Sequence, residues 1–337
     1  MLILTRKDID QFYTMEDCIE SVMEAFALSS SKKVKAPVRT KLTVEHVQGN
    51  ALFMPGLVEE KGYLGAKIVS VFPQNSSKGK PVVNATIVML DVETGEVKAL
   101  IDGTYVTKMR TGAATGASIK LLARENVKIG VLFGTGGQSE KQLEAMIATR
   151  HFEEIRVVGR NFEKTLDFCE KMSLLIPEMK VKEDHKNVEI TAYKDGNDAV
   201  AEADIIVLAT TSTKGLFDGN LLKNGVHISG VGSYTKEMCE MDKTTVLTAD
   251  KVYIDDRDSM LEEAGEFTQL IDQGIISEDF YTGEIGDLIL GKVPGRENED
   301  EITIFKSVGI SAQDLVSAEN IYRKAIELGI GQVIDFD

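Results

Sequence analysis

Residues 127–139 read VKIGVLFGTGGQS. A β-branched, apolar run breaks into glycines, and apolar spacing then turns helical through Gln142, Leu143, Ala145, Met146 and Ile147. A buried strand that ends in a tight glycine turn and leads into a helix offers an anion free backbone N–H groups and the positive end of the helix dipole. Such turns also occur as plain strand-to-helix connections. Gly134, Gly136 and Ser139 fill the three small positions of the G-x-G-x-x-G/A pattern. Gly134 allows the tight turn, Gly136 lets the backbone approach a pyrophosphate, and Ser139 lets the helix pack closely on the strand. The stretch predicts a dinucleotide site built from Gly134, Thr135, Gly136, Gly137 and Gln138.

A second strand follows at 155–159, IRVVG, and ends in Gly159-Arg160-Asn161. In a unit that binds NAD this strand usually ends in an acid that holds the ribose 2′-hydroxyl. A guanidinium there suits a 2′-phosphate, which a carboxylate would repel. Arg160 and Asn161 therefore favour NADP(H), with NAD(H) as the other candidate; a solvated surface arginine is the bland reading.

The pattern continues as strands at 188–193, 204–211, 225–232 and 251–256, alternating with helical segments. Six strands in such alternation predict a doubly wound parallel sheet. Thr210-Thr211-Ser212 and Gly232-Ser233 fall at strand C-termini, the edge where such sheets bind ligands, although turn chemistry alone also explains small polar residues there. Thr210 and Val231 are the cofactor candidates at this edge. The first third reads as α+β. Thr14-x-x-Asp17 resembles a capping box opening a helix over 15–29. Strands are expected near 38–54, 64–72 and 82–92, with a hairpin turn at 93–95 and a loop at 78–81. A small-residue helix is expected over 104–124, and a final amphipathic helix over 314–329, stopped by Gly329 and returning to the N-terminal domain. The run 296–301, RENEDE, reads as a solvated charged loop.

A length of 337 residues predicts two domains. A net charge of −16 argues against nucleic-acid or anionic-membrane partners. Cys18, Cys169 and Cys239 show no C-x-x-C spacing, which predicts a reduced, cytoplasmic setting. The four histidines are scattered, so no metal site is expected and each reads as structural or exposed. The N-terminal MLILTRKDID has no signal-peptide pattern, and no apolar run reaches membrane-spanning length.

Five segments together resemble the ornithine cyclodeaminase/mu-crystallin family, in the family's order and over essentially the whole chain. They are Phe72-Pro73-Gln74-Asn75, Arg110-Thr111-Gly112-Ala113-Ala114, Gly134-Thr135-Gly136-Gly137-Gln138, Gly232-Ser233-Tyr234-Thr235 and Ile304-Phe305-Lys306-Ser307-Val308-Gly309. The resemblance implies an α/β fold in which a Rossmann domain, 114–312, is inserted in a discontinuous α+β domain, 1–113 plus 313–337. The latter would bind substrate and form a homodimer through packed sheets. By the same resemblance Arg39 binds a substrate carboxylate, Lys67 stands at the reacting carbon, and Arg110 reaches substrate and cofactor. Val308 would line the pocket, Ser307 would approach the cofactor, and Val82 and Val83 would meet the nicotinamide through their backbones.

One position departs from the family. Cyclodeaminases carry an aspartate in the turn after the fifth Rossmann strand, and here Tyr234 stands there. A phenol is a poor base at neutral pH, so ring closure of ornithine loses its proton acceptor. Lys236 and Cys239 also replace an expected proline and arginine. The expected activity is NAD(P)H-dependent reduction of small 2-imino acids such as pyrroline-2-carboxylate or piperideine-2-carboxylate, or amino-acid dehydrogenation in reverse. The alternatives are an ornithine cyclodeaminase and a non-catalytic, mu-crystallin-like binder of NADP and a small ligand.

Overall fold

The computed structural model describes residues 1–37 and 39–335. Val38, where the first expected strand begins, and Phe336 and Asp337 lie outside the described residues. The chain divides into two compact units, Met1–Arg110 with Ile310–Asp337, and Thr111–Gly309.

The first unit opens with β1 (Leu2–Leu4), α1 (Arg6–Phe12) and α2 (Met15–Ser30), followed by β2 (Thr40–Val44), β3 (Gly49–Val58), β4 (Tyr63–Val71), β5 (Val83–Leu90) and β6 (Val97–Asp102). Helix α3 (Gly103–Leu122) carries the chain into the second unit. There it runs β7 (Ile129–Phe133), α4 (Ser139–Thr149), β8 (Glu154–Val158), α5 (Phe162–Leu175), β9 (Glu189–Tyr193), α6 (Gly196–Val200), β10 (Ile205–Leu208), β11 (His227–Gly230), α7 (Lys243–Thr248), β12 (Lys251–Ile254), α8 (Arg257–Glu263), α9 (Gly265–Asp272), β13 (Gly283–Glu284), α10 (Ile285–Ile289) and β14 (Thr303–Lys306). The first unit closes with α11 (Ser311–Leu328) and β15 (Gln332–Val333).

In the first unit the strands form one sheet in the order β15-β1-β6-β5-β4-β3-β2. The capping box at α2 forms as the spacing predicts: Thr14 Oγ1 accepts from Asp17 N, and Asp17 Oδ2 accepts from Thr14 N. The expected first strand is interrupted at 45–47 by a short helical turn that converts it into the β2–β3 hairpin. Helix α11 packs on α2 and lies across β3, β4 and β5. It ends as expected at Gly329, in the left-handed region at φ 66°. Close approach of helix to sheet depends on Gly65: a Cβ there would stand 2.6 Å from the Val88 carbonyl and 3.4 Å from Leu315. Along β4, Tyr63, Gly65, Lys67 and Val69 are buried on the helix side, while Leu64, Ala66, Ile68 and Ser70 point to the other face. Lys67 is thus a lysine at a core position of a central strand.

The second unit is a parallel, doubly wound sheet in the order β13-β12-β14-β11-β10-β7-β8-β9. Its strands are apolar on both faces. Val131, Phe133, Ile206 and Leu208 enter one core, and Leu132, Ile205 and Val207 enter the other. The chain runs outward from β7 to β9 and then crosses to β10 on the opposite side of β7. The switch point therefore lies between β7 and β10, directly above the glycine turn.

Two expectations are corrected here. The sheet has eight strands among the described residues, not six; β13 and β14 were missed. Strand β13 is only two residues long. Strand β14, TIFK, is fully buried between β11 and β12, yet it begins and ends on polar residues and follows an acidic run, which hides its apolar signal. The run 296–301 is not merely solvated either. Arg296 donates to the Leu122 carbonyl at 2.6 Å and to Thr303 Oγ1 at 3.0 Å, tying the loop to α3 and β14. His227 is structural: its ring nitrogens meet Thr303 Oγ1 and Ser118 Oγ. Burial, with Arg296 and Arg150 nearby, pushes its pKa down to about 3 and keeps it neutral.

Candidate functional site

Each unit presents one half of the expected chemistry. In the first unit, β4 delivers Lys67 to the inner sheet face and α3 delivers Arg110. Both meet Asp314 in the first turn of α11. Lys67 Nζ donates to Asp314 Oδ2, and Arg110 Nε donates to Asp314 Oδ1 at 3.2 Å. Gln313 Oε1 accepts from Arg110 Nη1 at 3.1 Å. Burial disfavours a charged Lys67, and although Asp314 opposes that effect, the charges of Arg110 and Arg39 reinforce it, so its pKa falls to about 8. Burial alone would raise Asp314, but Arg110 and Lys67 outweigh it and hold the carboxyl below its ordinary value. The cluster therefore combines a lysine whose pKa is lowered to about 8 with fixed positive charge, an arrangement able to hold a small carboxylate and exchange a proton. Val83 begins β5, four residues from Ile87, the partner of Lys67 across the sheet, or about 13 Å along the strand. The Val82 carbonyl accepts from Phe72 N.

In the second unit the predicted cofactor residues line up at the carboxyl edge of β14, β11, β10, β7 and β8, which are consecutive in the sheet. Gly134 sits at φ 114°, and a Cβ there would stand 2.6 Å from the Ala209 carbonyl. Only glycine meets both demands. Gly136 and Gly137 differ: a Cβ on either would meet nothing within 4 Å. Their surroundings are an open cradle before the N-terminus of α4, where the buried Ser139 Oγ and Gln138 Oε1 have no hydrogen-bond partner. Exposed backbone, unpaired polar atoms and a helix dipole fit a dinucleotide pyrophosphate and ribose. Arg160 is exposed just past β8. The Asn161 side chain caps α5, its Oδ1 accepting from Lys164 N at 3.0 Å.

Three buried acids brace this edge, and none was singled out from the sequence. Glu240 accepts from Thr210 N at 2.6 Å and from Gly232 N and Ser233 N at 2.9 Å, joining the loops after β10 and β11. Asp255 accepts from Ser307 Oγ, Val308 N and Gly309 N, shaping the turn after β14. Glu266 accepts from Ser233 Oγ and Glu240 N. Lys306 Nζ donates to Ser233 O at 2.7 Å, beside these carboxylates. Val231 N continues the sheet pattern to the Leu208 carbonyl. The amide of Thr210 and the hydroxyl of Ser307 are thus engaged inside the protein. Tyr234 extends from the same loop and is 44% exposed.

The model of the ornithine cyclodeaminase/mu-crystallin family matches residues 1–328. The chain belongs to this family. It is 36% identical over 336 residues to the Delta(1)-pyrroline-2-carboxylate reductase of Bacillus cereus, with 100% of both chains covered. It is 30% identical over 338 residues to the alanine dehydrogenase of Archaeoglobus fulgidus, covering 99% of this chain and 98% of that one. A solved structure of Thermococcus litoralis Delta(1)-pyrroline-2-carboxylate reductase in complex with NADH and L-proline superposes with a TM-score of 0.90. The two chains are 36% identical, and the match covers 99% of this chain and 100% of that one.

For this family member, Asp314 was legible only as the first residue of the expected amphipathic helix, and Gln313 lay just before it. The usable signal was two adjacent polar residues, Gln-Asp, set between Ala312 and the apolar Leu315-Val316. Glu240 and Asp255 carried no local signal, because each joins loops that follow different strands.

Proposed function

We propose that this chain is an NAD(P)H-dependent reductase of small cyclic 2-imino acids, pyrroline-2-carboxylate or piperideine-2-carboxylate, and an amino-acid dehydrogenase in the reverse direction. The observation that carries the reading is the buried cluster of Lys67, Arg110 and Asp314. Whole-length identity to pyrroline-2-carboxylate reductases supports it. L-proline, found with the Thermococcus enzyme, is the product of that reduction.

Arg39 and Arg110 hold the substrate carboxylate, and a planar guanidinium does so with directional, charge-assisted bonds. Asp314 keeps Arg110 and Lys67 in place. Lys67 passes a proton to the imine nitrogen, which makes the neighbouring carbon a better acceptor, and is reprotonated from solvent. The nicotinamide cofactor supplies the hydride when bound. Gly134 to Gln138 would hold its pyrophosphate, Thr210, Val231, Ser307 and Val83 would border it, and Val308 would face the substrate. One hydride at carbon and one proton at nitrogen convert the C=N bond into an amine.

Arg160, with no acid at the end of β8, supports a preference for NADPH while NADH remains usable. Tyr234 in place of a carboxylate supports reduction over cyclodeamination. The outer face of the first unit's sheet exposes Leu42, Phe53 and Ile68: Phe53 on β3 stands opposite Ile68 on β4, and Leu42 on β2 lies diagonal to Phe53, two residues beyond its partner Thr40. Three exposed large apolar side chains on one sheet face support a homodimer formed through it. The cysteine side chains remain thiols, which supports a cytoplasmic setting.

A substrate screen tests the reading. Purified protein is assayed with NADPH and NADH against pyrroline-2-carboxylate, piperideine-2-carboxylate, and pyruvate with methylamine or ammonia. Cofactor oxidation with the cyclic imino acids is the expected result. Inertness toward all of them overturns the proposal. If ornithine with NAD then gives proline and ammonia without net absorbance change, the chain is a cyclodeaminase.

A further inference from the structure

Gln313 is fully buried, and only one end of its carboxamide is satisfied. Its Oε1 accepts from Ile310 N and from Arg110 Nη1, each at 3.1 Å. Two donors converging on one atom settle which end is oxygen, since neither could face an amino group. Its Nε2 is buried with no hydrogen-bond partner. Buried amide donors are nearly always paired, so an unmet one inside a polar cluster marks the place of an acceptor. Asp314 does not fill the role: its oxygens accept from Lys67 and Arg110 and make no hydrogen bond to Gln313 Nε2. The surroundings are cationic: Lys67 and Arg110 share the carboxylate of Asp314, and the charge of Arg39 also acts on Lys67. Among possible acceptors, that surplus of positive charge favours an anion.

We infer that Gln313 Nε2 binds the carboxylate of the imino acid, as a neutral donor beside the arginines. This rests on the function proposed above. The same side chain has a structural duty, because its oxygen closes the first turn of α11 and orients Arg110.

Gln313→Glu separates the two duties. A glutamate keeps an oxygen for Ile310 N and Arg110 but replaces the donor with a second acceptor. Wild type and variant are assayed with pyrroline-2-carboxylate and with 2-methyl-1-pyrroline, the cyclic imine that lacks the acid. The KM for the imino acid should rise about 10- to 100-fold. The KM for the reduced cofactor should stay within about twofold, and preference for acid over neutral imine should fall by the same factor as the imino-acid KM rises. Gln313→Met, of similar length and without added charge, should lose the same preference, which guards against a fold failure or simple repulsion in the glutamate variant. Unchanged preference in a folded variant, or equal losses on both imines, overturns the inference alone. A wild-type chain that reduces neither imine overturns the functional reading, and this inference with it.

Discussion

Lys67 and Asp314 form an ion pair whose side chains are each 3% exposed, although 247 positions separate them in sequence. A buried pair of this kind is a weak source of net stability, because desolvation of both charges offsets their attraction. Its consequence is chemical. The carboxylate keeps a deeply buried lysine protonatable, and burial, reinforced by the neighbouring arginines, keeps it from being a permanent cation.

The pH dependence of reduction follows from that balance. With its pKa near 8, Lys67 carries a transferable proton below that pH and loses it above. Activity should therefore hold on the acid side and fall about tenfold per pH unit above about 8. Lys67→Ala should lower the rate about 10²- to 10⁴-fold and abolish this alkaline limb. A pH–rate profile of both proteins checks the point, and near wild-type reduction by the alanine variant removes Lys67 from the chemistry.

Asp314→Asn removes the charge that supports the lysine. The Lys67 pKa should fall further, so the alkaline limb should move to lower pH. Two buried cations would also lose their counter-charge, at a cost of about 3–5 kcal/mol in stability. The sign of the acid dependence follows from Asp314 being held below its ordinary value. Its ionic stabilisation is present above the unfolded pKa and is lost as pH falls through the folded one. Urea unfolding of both proteins at several pH values reads this directly, and a larger difference at low pH than at neutral pH contradicts it.

The two glycines of the turn should fail in different ways. Gly134→Ala puts a side chain at φ 114° and 2.6 Å from a carbonyl, which should cost about 1–3 kcal/mol in stability. Gly136→Ala meets nothing in the protein, so melting should be unchanged while cofactor affinity drops. Thermal unfolding with and without NADPH separates the cases. Full cofactor protection of the Gly136 variant would place the pyrophosphate elsewhere.

Arg160→Ala should reduce kcat/KM for NADPH by about tenfold or more and leave NADH nearly unchanged, since a charge-assisted bond to a phosphate contributes about 1.5–3 kcal/mol. Steady-state kinetics with both cofactors decides. Equal effects on the two would make Arg160 a surface charge.

Ile68, 41% exposed at the centre of the outer sheet face, offers a test of assembly. Ile68→Glu should dissociate a dimer without unfolding the unit, because the side chain points away from the core. Light scattering after size exclusion should show twice the chain mass for wild type and the chain mass for the variant. A monomeric wild type ends the dimer proposal.

Local hydrogen bonding and periodicity were readable directly. The Gly134 turn, the Thr14–Asp17 box, the hairpin around Gly95 and the stop at Gly329 each depend on residues a few positions apart, so their chemistry is written in consecutive letters. Likeness to a family brought Arg39, Lys67 and Arg110 to notice; as isolated charged residues they were unremarkable. Tertiary structure alone decided what those residues touch. It inserted β14 between β11 and β12, set Glu240 under two separate loops, and delivered Asp314 and Gln313 to Lys67 and Arg110 from the far end of the chain. Such contacts arise when a helix that closes the chain packs on a strand formed near its start, and no local pattern encodes which buried polar groups then meet.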